Sequence, residues 1–89
     1  MPASSETEVR LPAGVALHAR PAGQFVKTAM QFRSQVWVAA GKKAVNAKSI
    51  LAVLGLGAQG GTALTLSAEG DDAQAALVAL AACVSSLVE

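Results

Sequence analysis

Four stretches of alternating apolar and polar residues, three stretches of apolar residues at helical spacing, and a chain of 89 residues that is 53% apolar predict an α+β open-faced sandwich. In that architecture a four-stranded antiparallel or mixed sheet is covered on one face by three helices. Each helix then buries one apolar stripe and each strand one apolar face. The length supports one compact core and a single domain over residues 1–89.

Residues 1–5 read as a loose lead-in. Thr7, Val9 and Leu11 then alternate with Glu8 and Arg10 as in a half-buried strand, which Pro12 to Gly14 breaks. From about 19 to 31, Ala22, Phe25, Val26 and Ala29 follow the i, i+3, i+4, i+7 pattern of a helix with one buried face. Proline fits the first helical turn, where its missing N–H would have had no intrahelical partner, so Pro21 places the helix start at His18 or Ala19. Gly23 inside this helix costs it up to about 1 kcal/mol relative to alanine.

Val36 and Val38 alternate with Gln35 and Trp37 in a second strand, and Gly41 with two following lysines marks a hairpin turn into a short strand ending near Asn46. Ser49 is a candidate N-cap for a brief helix from Ile50 to about Leu54, ended by Gly55 and Gly57. Gly60 and Gly61 open a fourth strand, Thr62 to Ala68, with Leu64 and Leu66 on one face and Thr65 and Ser67 on the other. Asp71, with Gln74 three residues later, resembles a capping box, after which Leu77, Leu80, Ala81, Val84 and Leu87 keep helical spacing to the chain end.

Seven Lys and Arg against six Asp and Glu give a net charge of +1, which offers no field to hold nucleic acid or an acidic membrane. Three aromatic residues, Phe25, Phe32 and Trp37, are too few for a platform of stacked bases. The lone Cys83 can form no internal disulfide and reads as a small core residue of a protein in a reducing cytoplasm. The polar stretch from Met1 to Arg10 lacks the apolar core of a signal peptide, and no apolar run reaches membrane-spanning length, so no membrane insertion is expected. The glycine-rich GLGAQGG at 55–61 lacks the lysine of a phosphate-binding loop, and no cluster of metal ligands occurs; no cofactor is expected.

The stretch VALHARPAG, residues 15–23, contains the only histidine. A helix N-terminus presents amide N–H groups without intrahelical acceptors, together with the positive end of the macrodipole, and so favours anions. With His18 at that end, the amides near Ala19 and Arg20 and the forked guanidinium of Arg20 can converge on a group attached to the ring. A neutral imidazole nitrogen can attack a phosphoryl group directly. The alternative from spacing alone is a non-catalytic module that uses the same helix end to bind a free anion or a partner protein's carboxylate.

LHARPA at 17–22 resembles the active-site signature of the HPr family, the histidine-containing phosphocarriers of the bacterial phosphoenolpyruvate:sugar phosphotransferase system. NAKSILAVLGLG at 46–57 is similar to that family's regulatory-serine segment, and SAEGDDAQ at 67–74 to its turn into the last helix. The resemblance implies an HPr-like fold from about residue 7 onward. It implies that His18 takes a phosphoryl group on Nδ1 from phosphorylated enzyme I and passes it to IIA domains of sugar permeases, with Arg20 steadying the phosphate beside the helix-end amide of Ala19. It further implies a monomeric carrier rather than an enzyme, and Ser49 as a site for a dedicated kinase, HPr kinase/phosphorylase, where added negative charge would repel an acidic partner. Leu51 and Leu54 fall where the family carries apolar partner contacts, with at least one of them expected exposed, and Lys27 is a candidate flanking charge. One departure is Ala16, which stands where the family usually has glycine and so predicts a somewhat different loop path before the histidine.

Overall fold

The computed structural model describes residues 4–88. In chain order the elements are β1 (Ser4–Arg10), α1 (Ala19–Ala29), β2 (Gln35–Ala40), β3 (Lys43–Asn46), α2 (Ile50–Gly55), β4 (Ala63–Glu69) and α3 (Ala73–Ser86). The four strands form one sheet in the order β1-β4-β2-β3, antiparallel at every pairing.

The register explains the alternation. Val38 stands opposite Leu66 on one side and Val45 on the other, and Leu66 stands opposite Thr7, so these residues share one face. That face meets the helices: Val36, Val38, Leu64 and Leu66 are buried there. The opposite face carries Glu6, Trp37, Thr65 and Ser67, and no helix covers it. Between β2 and β3, Gly41 supplies the positive φ of 62° that a two-residue hairpin turn requires.

Helix α1 packs on α3 and α2, and α3 packs on β1 and β4. Phe25, fully buried among them, is the bulkiest core side chain, and burying such a residue contributes about 1.5–3 kcal/mol. Cys83 on α3 is half-buried against the same core. Among the described residues no helix is long and apolar enough to cross a membrane.

Strand β4 and helix α2 end one residue later than expected, and three boundaries differ further. Ser4 and Ser5, read as part of a loose lead-in, belong to β1, where they pair with Glu69 and Ala68; Met1, Pro2 and Ala3 lie outside the described residues. Helix α1 ends at Ala29, two residues short of the predicted end, and tightens there through bonds from Gln31 N to the Thr28 carbonyl and from Phe32 N to the Ala29 carbonyl. Leu87 leaves α3 in an extended conformation yet stays buried, so its apolar spacing records burial without helix.

The capping box of α3 is not formed. Asp72, not Asp71, is the N-cap residue, and its carboxylate turns away from the helix to accept hydrogen bonds from the Ser34 hydroxyl, Ser34 N and Arg33 N. Gln74 instead accepts from the Ser5 hydroxyl across to β1. The Ser34 hydroxyl, then the Arg33 amide, hold the Asp72 carboxyl at about 2, below its ordinary 3.8. Because the folded value is the lower one, this stabilisation is complete above pH 3.8 and is lost as pH falls toward 2. Asp72→Asn is expected to lose stability at neutral pH and to flatten the acid limb of a urea-midpoint profile between those two values; an unchanged acid limb would show that another carboxyl sets it.

Gly23 faces open space, with no atom within 4 Å of where a Cβ would stand. Gly23→Ala is therefore expected to raise stability by up to about 1 kcal/mol in chemical denaturation, through helix propensity alone.

Candidate functional site

The loop between β1 and α1 delivers His18 to the helix tip. Leu11 donates to the Thr62 carbonyl, Gly61 donates back to Leu11, and Leu17 donates to the Ala58 carbonyl, which tie the loop at both ends to the segment before β4. Val15, Ala16 and Leu17 are buried, so the loop is anchored by three consecutive side chains immediately before the histidine. Ala16 takes this place without strain, since no described non-glycine residue has a positive φ.

His18 is the N-cap of α1 in an extended conformation, and its carbonyl accepts the first helical bond from Ala22 N at 2.7 Å. Its side chain makes no capping hydrogen bond and is exposed, which leaves the ring available to an incoming group. Pro21 contributes no N–H, so the unpaired donors of the first turn are the amides of Ala19 and Arg20. No acidic side chain occupies that turn to neutralise the helix end. Arg20 is exposed, and among the described residues its guanidinium holds no hydrogen bond. The sequence thus places the histidine at the N-cap and an arginine in the first turn of one helix, beside two amides without intrahelical partners.

Ser49 caps α2, its hydroxyl accepting from Ala52 N at 3.3 Å, as its position before Ile50 predicts. Leu51 is 80% exposed, whereas Leu54 is half-buried against the core, so the two leucines divide between surface and interior. Exposed Met30 at the end of α1 and Ile50 at the start of α2, neither singled out by spacing, add to this apolar surface. With Gly23, Val26, Lys27 and Gln31 they line a shallow groove of about 520 Å³. Ala19, Gly23 and Lys27 are spaced four residues apart, one stripe of α1 that leads from the helix tip along this groove.

Residues 3–86 match the family model for the HPr component of the phosphotransferase system, described by its phosphorylation site. The chain belongs to the HPr family. It is 42% identical over 80 residues to the phosphocarrier protein HPr of Haemophilus influenzae, covering 90% of this chain and 94% of that one. It is 47% identical over 83 residues to the HPr-like protein Crh of Bacillus subtilis, covering 93% and 95%. The crystal structure of HPr-C-His from Thermoanaerobacter tengcongensis superposes with a TM-score of 0.88 at 45% identity, covering 92% of each chain. An HPr is a phosphocarrier of the phosphotransferase system and not a catalytic enzyme, and the open sheet under three helices is the fold of this family.

Proposed function

We propose that His18 of this HPr accepts a phosphoryl group on Nδ1 from phosphorylated enzyme I and passes it to IIA domains of sugar permeases, acting as a cytoplasmic monomer. The observation that carries this reading is the exposed, uncapped imidazole of the only histidine at the N-terminus of α1. The ring nitrogen's lone pair forms the bond to phosphorus as the bond to the donor's leaving atom breaks; the reverse exchange at the next protein frees the ring. The amides of Ala19 and Arg20 and the Arg20 guanidinium supply hydrogen bonds and positive potential to the phosphoryl oxygens.

The groove beside α1 and the exposed Leu51 suit partners that dock through an apolar patch flanked by the Lys27 charge. Ser49 lies at the start of α2, next to that patch, where phosphorylation by HPr kinase/phosphorylase would add about −2 charge and disfavour an acidic docking partner. Incubation with phosphoenolpyruvate and enzyme I is expected to add one acid-labile, base-stable phosphoryl group per chain. Absence of any label from a competent enzyme I would overturn the reading.

Arg20→Ala is expected to leave the denaturation midpoint unchanged, since the residue is exposed and its guanidinium holds no hydrogen bond among the described residues, and to slow onward transfer about tenfold. Rapid-quench measurement of transfer to a IIA domain checks this, and an unaltered rate would remove Arg20 from the phosphate site.

A further inference from the structure

The sheet face opposite the helices is unpartnered, and its one aromatic side chain is Trp37. Trp37 is half-buried, and it stands opposite Ser67 on β4, which in turn stands opposite Glu6 on β1. These three residues form a row across adjacent strands about 10 Å wide. Glu69, opposite Gln35, lies one step along the same face. Ser4, Glu6, Trp37, Ser67 and Glu69 line a depression of about 360 Å³ that is remote in the fold from the tip of α1.

We propose that this depression docks an arginine side chain of a basic, extended segment of a partner protein. A guanidinium stacks on an indole face by cation–π attraction and forks to carboxylates, and here one indole and two carboxylates border one hollow of side-chain size. Two cations at the borders of this face are engaged elsewhere. Arg10 sits opposite Ala63 at the far end and donates to the Gly61 carbonyl at 2.7 Å, and Lys48, beyond Trp37 on the β3 side, donates to the Phe32 carbonyl at 2.6 Å. The carboxylates repel a phosphate-bearing ligand. Ser4 to Glu6 belong to β1, a sheet edge, so a segment laid beside the hollow finds backbone groups to pair with. A net charge of +1 gives the chain as a whole no attraction for a basic peptide, so any binding must come from this local arrangement.

Trp37 is the only tryptophan and the chain has no tyrosine, so intrinsic fluorescence comes from a residue that borders the hollow. Titration with a serine–arginine repeat peptide in low salt is expected to change the emission saturably, with affinity about fivefold weaker for the serine–lysine counterpart. Glu6→Gln and Glu69→Gln should each weaken the arginine peptide about fivefold. Glu8→Gln, on the same face but outside the hollow, should leave it unchanged. Amide NMR shifts should concentrate at residues 4–6, 37 and 67–69, and labelling of His18 by enzyme I should proceed at the wild-type rate in all three variants, which separates this surface from the phosphoryl site. The proposal is overturned by a flat titration, by equal affinity for the lysine peptide, by a stronger response to a neutral oligosaccharide, or by shifts centred on α1 and α2.

Discussion

His18→Ala is expected to lose phosphoryl acceptance completely while keeping the wild-type denaturation midpoint within about 0.5 kcal/mol. The chain has no second histidine to take over the nucleophile's role. Stability is spared because the ring is exposed and makes no capping bond, while the backbone bond from Ala22 N to the residue-18 carbonyl survives the substitution. Radiolabel transfer from phosphoenolpyruvate through enzyme I, run beside a urea melt, separates loss of the nucleophile from loss of fold. Retained label in a folded His18→Ala protein would move the acceptor to another side chain.

Gly60→Ala is expected to damage both stability and transfer, although Gly60 lies far from His18 in sequence. A Cβ there would stand 2.5 Å from Gly14 N and 2.9 Å from Val15 N, closer than non-bonded atoms approach. Both contacts are main chain, so no flexible side chain can yield; the 12–17 loop itself must shift. Such overpacking costs about 1–3 kcal/mol. The displaced loop ends at His18, and misplacing a reacting group by a fraction of its bonding distance lowers rates steeply, so enzyme I should label the folded variant at least about tenfold more slowly. The urea midpoint and the labelling rate below the melting range check the two effects separately. A wild-type rate in a destabilised variant would show that the loop and the histidine are mechanically independent.

Local rules made much of this molecule readable from its residues. The single constraint on Pro21 placed His18 at the tip of α1, since proline's fixed φ and missing N–H suit only the first turn. Period-two alternation sorted Leu64 and Leu66 from Thr65 and Ser67, and the hydroxyl of Ser49 found the amide three residues on. What was hidden depends on residues distant in sequence. The Asp72 carboxylate meets Ser34 and Arg33 across 38 and 39 residues and so leaves the local capping geometry that Asp71 and Gln74 suggested. The close approach of Gly60 to Gly14 has no sequence signature beyond the glycine itself. Ser4 and Ser5 carry no apolar alternation, and β4 alone makes them a strand. The apolar groove likewise joins Met30 to Ile50 from two helices, and only the packing of α1 on α2 reveals it.

The acceptor atom itself offers the sharpest trial. With one histidine in the chain, the imidazole signals in a nitrogen-15 and phosphorus-31 NMR experiment belong to His18 alone. After reaction with phosphoenolpyruvate and enzyme I, phosphorus is expected coupled to Nδ1 of that ring, with the signals returning to their starting positions once a IIA domain is added. Phosphorus on any other side chain, or a ring unchanged while the chain carries label, would contradict the account.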